Sequence, residues 1–206
     1  MNRIAPKAHW ENVYGSKAEN EVSWFQEKPA TSLEFIEHCG GGPDVPIIDI
    51  GGGESRLVDR LLDAGYRDIA VLDVSENALS YTKKRLNARS ALVEWITADV
   101  TRWTPARTYR LWHDRAVFHF LTDPLERAAY LAALLKGVAS GGCVVISTFA
   151  LEGPEKCSGL PVMRYSAQSL AAELGPQLEL VETRSEPHTT PWHSQQHFQF
   201  SRFKRR

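Results

Sequence analysis

Asp49, Gly51, Gly53 and Asp73 have the types and spacing of a site for a polar, nucleotide-like ligand. The run Val45-Pro46-Ile47-Ile48-Asp49-Ile50 is apolar apart from its acid, breaks into Gly51-Gly52-Gly53, and reopens as a helix from about Ser55. A parallel strand delivers its carboxyl end to a ligand in this way, and glycines there let the backbone approach something bulky. Twenty residues past Gly53, Asp73 closes a second apolar run, Ile69-Ala70-Val71-Leu72. That is the spacing at which a carboxylate meets ribose hydroxyls in a unit of strand, glycine loop, helix and strand. Either acid alone could cap a helix or solvate a strand end; their joint placement at strand tips points to a ligand.

Positioning these residues requires alternating strands and helices, and the chain supplies them from Pro46 onward. The first helix, about Ser55 to Ala64, buries Leu57, Val58, Leu61 and Leu62 and stops at Gly65. Ser75 caps the next, with Leu79, Thr82 and Leu86 on one face. A third strand spans Leu92 to Thr97 and a fourth Leu111 to Asp114. Asp123-Pro124-Leu125-Glu126 has the acid, proline and glutamate of a capped helix start. A fifth strand covers Cys143 to Phe149, a helix Ser166 to Leu174, and two last strands Leu178 to Thr183 and His197 to Arg202. This alternation predicts an α/β fold with a mostly parallel sheet covered on both faces. Residues 1–44 read as an aromatic, helical lid and 45–206 as the core, in one domain.

Composition narrows the function classes. The chain of 206 residues has a formal net charge of −1, so no broad basic face invites nucleic acid, and its Phe203-Lys204-Arg205-Arg206 end reads as a solvated terminus. No window of about 20 apolar residues and no apolar signal core follow Met1, so neither a membrane span nor secretion is expected, and a cytoplasmic location is. Three widely spaced cysteines, Cys39, Cys143 and Cys157, fit reduced thiols better than a disulfide framework.

An acceptor for any chemistry would enter beyond the carboxyl ends of the strands, where three connections emerge: 115–123, 151–165 and 184–195. They bring Arg115, His119, Cys157, His188, Trp192 and His193 toward Trp10, Tyr14 and Trp24 of the N-terminal segment. Those aromatics either pack on the sheet edge or close over a cationic ligand. His119 is the candidate polar group beside the reacting atoms, or a packed histidine bonded to backbone. Arg115 could orient an anionic acceptor or pair with a neighbouring acid. His188, His193 and Cys157 lack paired metal-ligand spacing, so no metal is expected.

The ordered set Asp49-Ile50-Gly51-Gly52-Gly53, Asp73, Ala98-Asp99-Val100 and Asp114 resembles class I S-adenosylmethionine-dependent methyltransferases over nearly the whole chain. The resemblance implies a Rossmann-like sheet of seven strands, order 3-2-1-4-5-7-6, with the last strand antiparallel. It implies S-adenosyl-L-methionine as cofactor, with Asp49 and Gly51 at the methionine end, Asp73 on the ribose, and Asp99 facing the adenine amine beside Val74 and Val100. Gly53, Asp114, Trp10 and Tyr14 fall to the cofactor site as well. Ser55 stands where many members have a third glycine, which speaks against a pyrophosphate ligand.

Asp114-Arg115-Ala116, with the Trp-rich entry at Trp10, is similar to thiopurine and related thiol S-methyltransferases, and to protein lysine methyltransferases that carry Asp-Lys-Gly there. A compact chain favours a small-molecule acceptor, a thiol or another soft nucleophile, contacted by Trp24, Cys157, His188 and Trp192, with His119 and Arg115 nearest the chemistry. The competitors are a protein lysine methyltransferase and, from another class, a nicotinamide-dependent oxidoreductase, against which the absent G-x-G-x-x-G argues. The sequence is silent on oligomeric state.

Overall fold

The computed structural model describes residues 6–206. The first five residues of the expected 1–44 lid lie outside that range. Helices α1 (Pro6–Ser16) and α2 (Ala30–His38) precede the alternating core. There follow β1 (Ile47–Ile50), α3 (Leu57–Asp63), β2 (Ile69–Asp73), α4 (Glu76–Leu86), β3 (Val93–Thr97), β4 (Tyr109–Arg115), α5 (Pro124–Gly137) and β5 (Val138–Phe149). A two-stranded hairpin, β6 (Lys156–Cys157) and β7 (Leu160–Pro161), leads to α6 (Ala167–Leu174), β8 (Leu178–Thr189) and β9 (Gln195–Arg205). The seven-stranded sheet has the order β3-β2-β1-β4-β5-β9-β8, parallel from β3 to β5, with β9 antiparallel to both neighbours. This is the seven-strand order expected from the resemblance.

Successive residues of a strand point to opposite faces, and that alternation divides the core. Ile48, Ile50, Leu72, Trp112 and Ile146 face one way and pack with Tyr130, Leu134 and Leu170 of α5 and α6. Ile47, Ile69, Val71 and Leu111 face the other way against Ile36, Leu57, Leu61 and Leu79 of α2, α3 and α4. Asp49, Asp73, His113 and Arg115 share this second face by their phase on the strands. A third cluster lays Phe35 and Cys39 against Val145, Phe198 and Phe200 of β5 and β9.

The helix starts form as the sequence predicts. Ser75 Oγ accepts from Ala78 N at 3.2 Å and Asp123 Oδ1 from Leu125 N at 2.9 Å, each satisfying a donor that the helix leaves free. Two expectations fail. Cys39 and Cys143 form a disulfide, with Cα atoms 5.7 Å apart at a sequence separation of 104, and only Cys157 is free. The fold brings α2 over β5, an adjacency that cysteine spacing alone does not show. The last two strands are also far longer than expected, pairing from Leu178↔Arg205 to Thr189↔Gln195. The anticipated 184–195 loop is therefore mostly strand, leaving a turn at 190–194. Among the described residues, no helix is long and apolar enough to cross a membrane.

The bridge should show in a thiol count: denatured without reductant, each chain should yield one titratable thiol, and three after reduction. Reduction should lower stability by about 2–4 kcal/mol, since the cross-link closes a long loop in the unfolded chain. Three thiols in the unreduced protein would remove the bridge.

Candidate active site

Two adjoining cavities, of about 160 and 60 Å³, open at the carboxyl ends of β1, β2 and β4 and share Tyr14, Trp24, Ile50, Gly51 and Arg115. Gly51 makes the bend: its φ is +68°, its N–H donates to Leu72 O at 2.7 Å, and a Cβ there would collide with Val117. Only glycine meets both demands at no steric cost. Gly53 lines neither cavity; a Cβ on it would lie 2.7 Å from Asp73 Oδ2, so it makes room for the acid, not the ligand.

Asp49 is 3% exposed and lines the smaller cavity. Its Oδ1 is 2.7 Å from His113 Nδ1, and His113 Nε2 is 2.9 Å from Ser32 Oγ. An ionised carboxylate only accepts, so Nδ1 carries a proton, and in the neutral imidazole Nε2 accepts from the serine hydroxyl. Asp49 Oδ2 is buried without a partner, as is Glu54 Oε2 in the same cavity. Burial, with the charges of Glu19 and Asp73 nearby, pushes the Glu54 carboxyl up to about 7. Asp73 lines the larger cavity and accepts from Ser75 N at 2.8 Å; burial raises it too to about 7, against the pull of the Ser75 and Gly53 N–H groups. The site thus gathers buried carboxyls that a cationic ligand would ionise and stabilise.

Along the larger cavity, Leu72, Val74, Val100 and Val117 offer apolar walls beside Asp99. Asp99 Oδ1 accepts from Thr101 N at 2.9 Å and Thr101 Oγ1 at 2.7 Å, so the acid holds its own turn as well as lining the cavity. The roof is aromatic. Trp10 stacks on Tyr14 at 6.0 Å between centroids and meets Trp24 at 5.7 Å and Phe120 at 5.1 Å edge-on.

Residues 47–142 match the methyltransferase domain family. Those residues, just under half of the chain, carry the match to a methyltransferase domain. It is 29% identical over 122 residues to a mouse eEF1A lysine and N-terminal methyltransferase, a match covering 57% of this chain and 17% of that protein. The chain therefore spans less than a fifth of that relative's length. Two solved structures share the fold. One, described as converting a disulfide bond into a thioacetal group during echinomycin biosynthesis, superposes with a TM-score of 0.77 at 17% identity, covering 97% of this chain and 92% of that one. The other, the N-methyltransferase NodS of Bradyrhizobium japonicum with S-adenosyl-L-homocysteine, gives 0.71 at 16%, covering 95% and 97%.

The two cavities gather Trp10, Tyr14, Trp24, Asp49, Gly51, Asp73, Val74, Asp99, Val100, Arg115 and Cys157. Besides Gly53, four sequence candidates stand elsewhere. Asp114 is fully buried on the opposite face, accepting from Tyr130 OH at 2.7 Å, Val117 N at 2.8 Å and Phe118 N at 3.1 Å; burial raises it to about 6. It anchors the turn after β4 instead of meeting the ligand. His119 is also fully buried, with Nδ1 accepting from Phe149 N at 3.3 Å; burial and the nearby Arg115 push it down to about 3. It is the packed, neutral histidine of the two alternatives and lines neither cavity. His188 lies on β8 with Nε2 2.7 Å from Ser23 O, and Trp192 projects 55% exposed from the 190–194 turn. The extended pairing of β8 with β9 carries both away from the cavities. Cys157 does line the larger one, but burial pushes its thiol up to about 12, which keeps it protonated and a poor nucleophile.

Sequence reasoning gave no role to Glu54, His113 or Glu11. His113 was legible in principle: strand phase places it opposite Asp49 in register, and Asp114 therefore on the far face. Glu11 carries no such signal. From α1 its carboxylate accepts from Glu76 N at 2.8 Å, Asn77 N at 3.2 Å and Ser75 Oγ at 3.1 Å. An α1 acid thereby completes the N-terminus of α4, where negative charge is favoured, and fixes the helix that carries Trp10 and Tyr14.

Replacing Glu11 by Ala should release that helix end at a cost of about 0.5–2 kcal/mol. Trp10 should then become more accessible to acrylamide quenching, and affinity for S-adenosylhomocysteine should fall. Unchanged quenching and affinity would show that Glu11 does not hold the roof.

Proposed function

We propose that the chain transfers a methyl group from S-adenosyl-L-methionine to a small, soft nucleophile, a thiol foremost, by direct displacement. The observation that carries the cofactor half is the pair of buried carboxylate oxygens without partners, Asp49 Oδ2 and Glu54 Oε2, beside a glycine bend. They fit a ligand whose amino-acid end is an ammonium and whose sulfur is positive. Asp73 is placed to accept from ribose hydroxyls, and Asp99 with Val74 and Val100 to flank the adenine.

When bound, S-adenosylmethionine would supply a methyl already activated by its sulfonium. The chain's own task is then to align the acceptor and exclude water. The aromatic roof serves both ends, since Trp10, Tyr14, Trp24 and Phe120 are apolar and their faces favour nearby positive charge. With His119 withdrawn and the Cys157 thiol near 12, neither candidate is poised to take a proton from the acceptor. That favours an acceptor that arrives with a free lone pair. A thiol meets this in part through its thiolate, and sulfur suits an aromatic wall. The fold-level likeness to a protein acting at a disulfide points the same way.

The second reading is methylation of a protein amine, favoured by the aromatic quartet, which suits an ammonium, and by the eEF1A methyltransferase relative. Incubation with tritiated cofactor, a panel of thiols, selenols and amines, and cell lysate decides. Label in small thiols is expected; label confined to a protein band would establish the second reading.

Cofactor binding should depend on pH. Burial holds the Glu54 and Asp73 carboxyls near 7, against ordinary values of 4.5 and 3.8. Each therefore lowers the empty protein's stability as pH rises from those values through 7, because the fold holds a proton that the unfolded chain has lost. A cationic ligand favours the ionised forms, so binding expels protons. Affinity for S-adenosylmethionine should rise about threefold to tenfold from pH 6 to pH 8, and affinity for S-adenosylhomocysteine, which lacks the sulfonium charge, should rise less. Calorimetry in buffers of different ionisation enthalpy reads the released protons; a flat profile would remove both carboxyls from the cofactor.

A further inference from the structure

We propose that Arg115 binds a carboxylate carried by the methyl acceptor, so that the acceptors of this site are acidic small molecules. The inference rests on the methyl-transfer reading above and adds the acceptor's chemical class to it.

Among the described residues, Arg115 is the one Arg, Lys or His side chain lining the larger cavity. In the smaller cavity it is joined by Arg56 and His113, and both of those already hold a carboxylate, Glu19 and Asp49. Arg115 holds none: among the described residues no carboxylate oxygen comes within 4 Å of its guanidinium. Its Nη1 donates to Trp24 O at 3.1 Å, and its guanidinium carbon lies 4.4 Å from the centroid of the Phe198 ring. Nε and Nη2 are buried and have no hydrogen-bond partner. These two nitrogens form one edge of the guanidinium fork, the edge whose parallel N–H bonds match the two oxygens of a planar carboxylate. A buried, unpaired cation is expensive for a fold to hold. The strain shows in Arg115 itself, which burial pulls down to about 10 against the weaker opposing pull of Glu186 and Cys157.

The side chain's surroundings separate the acceptor from the cofactor's own carboxylate. The guanidinium stacks on Phe198, which pairs with Phe149 of β5, and the charges it feels are Glu186 of β8 and Cys157 of the β6–β7 hairpin. It acts in turn on His119 and His188. All of these lie on the β5, β9 and β8 side of β4. The ligand-facing acids Asp49 and Asp73 lie on the other side, at the tips of β1 and β2. Trp24 and Cys157, from the segments that the acceptor would pass, line the same cavity as Arg115.

The test is equilibrium binding to the full chain saturated with S-adenosylhomocysteine, using 3-mercaptopropionate and phenylacetate, each against its methyl ester. The acids should bind about tenfold or more tighter than the esters, as expected for a charge-assisted, two-bond contact. Arg115→Met should abolish that preference, Arg115→Lys should retain part of it, and both should leave S-adenosylhomocysteine affinity within about threefold. Equal binding of acid and ester by the unmodified protein, or no binding of the acids at millimolar concentration, overturns the proposal without requiring any variant to fold. So does a loss of S-adenosylhomocysteine affinity in Arg115→Met that matches the loss for the acids, which would give Arg115 to the cofactor. Failure of the underlying methyl-transfer reading would appear separately, as no binding of S-adenosylhomocysteine by the unmodified protein.

Discussion

Asp49, Glu54 and Asp73 converge at the ends of adjacent strands and the loop between them, where burial denies their charges to water. The surrounding fold supports them only in part. Asp49 is held by His113, and Asp73 by the Ser75 amide, while one oxygen each of Asp49 and Glu54 is left without a partner. A fold could relieve this by substituting amides or by supplying a cation. Both of these carboxylate oxygens belong to residues lining one cavity, where a ligand of opposite charge would complete the network. Gly53, which leaves room for the Asp73 carboxylate, and Ser32, which orients His113, follow from the same requirement.

Strand alternation decides which side chains can take part. Asp49, Asp73, His113 and Arg115 share one face of the sheet, roofed by α1 and the segment around Trp24. Asp114 and Trp112 point to the other, where Tyr130 joins them, accepting from Trp112 Nε1 at 2.9 Å and donating to Asp114 Oδ2 at 2.7 Å. One strand thus serves two purposes: His113 and Arg115 address the ligand face, while Asp114 binds the following turn to α5. The two faces meet at Val117, whose amide bonds Asp114 and whose side chain lies against Gly51.

The sequence made legible what local chemistry determines. Strand order, the caps at Ser75 and Asp123, the bend at Gly51 and the cavity-lining acids Asp49, Asp73 and Asp99 all express short-range patterns. What it hid depends on distant partners. The Cys39–Cys143 bridge requires α2 to cross β5, and the Glu11 contact requires α1 to reach the start of α4. The last hairpin was misread because Pro187 and the His- and Thr-rich stretch around it look like loop, yet β8 is the outer strand of the sheet and its unpaired side tolerates a proline. His119 was drawn toward chemistry by its position just after β4, whereas burial beside Phe149 decides its role.

The arrangement of charge across the site bears on how an acceptor and a cofactor can share it. Carboxyls gather at the β1 and β2 end, and the guanidinium of Arg115 lies toward β9, with Tyr14 and Trp24 lining both cavities. A ligand positive at one end and a second ligand negative at the other would each meet its opposite charge, and their reactive centres would face one another under Trp10 and Tyr14. For methyl transfer that polarity has a chemical use. A nucleophile held by a remote carboxylate needs no charge at the reacting atom to stay bound, so its lone pair remains free to approach the methyl in line. Interactions made away from the reacting atoms can thus supply orientation without burdening the centre that must change.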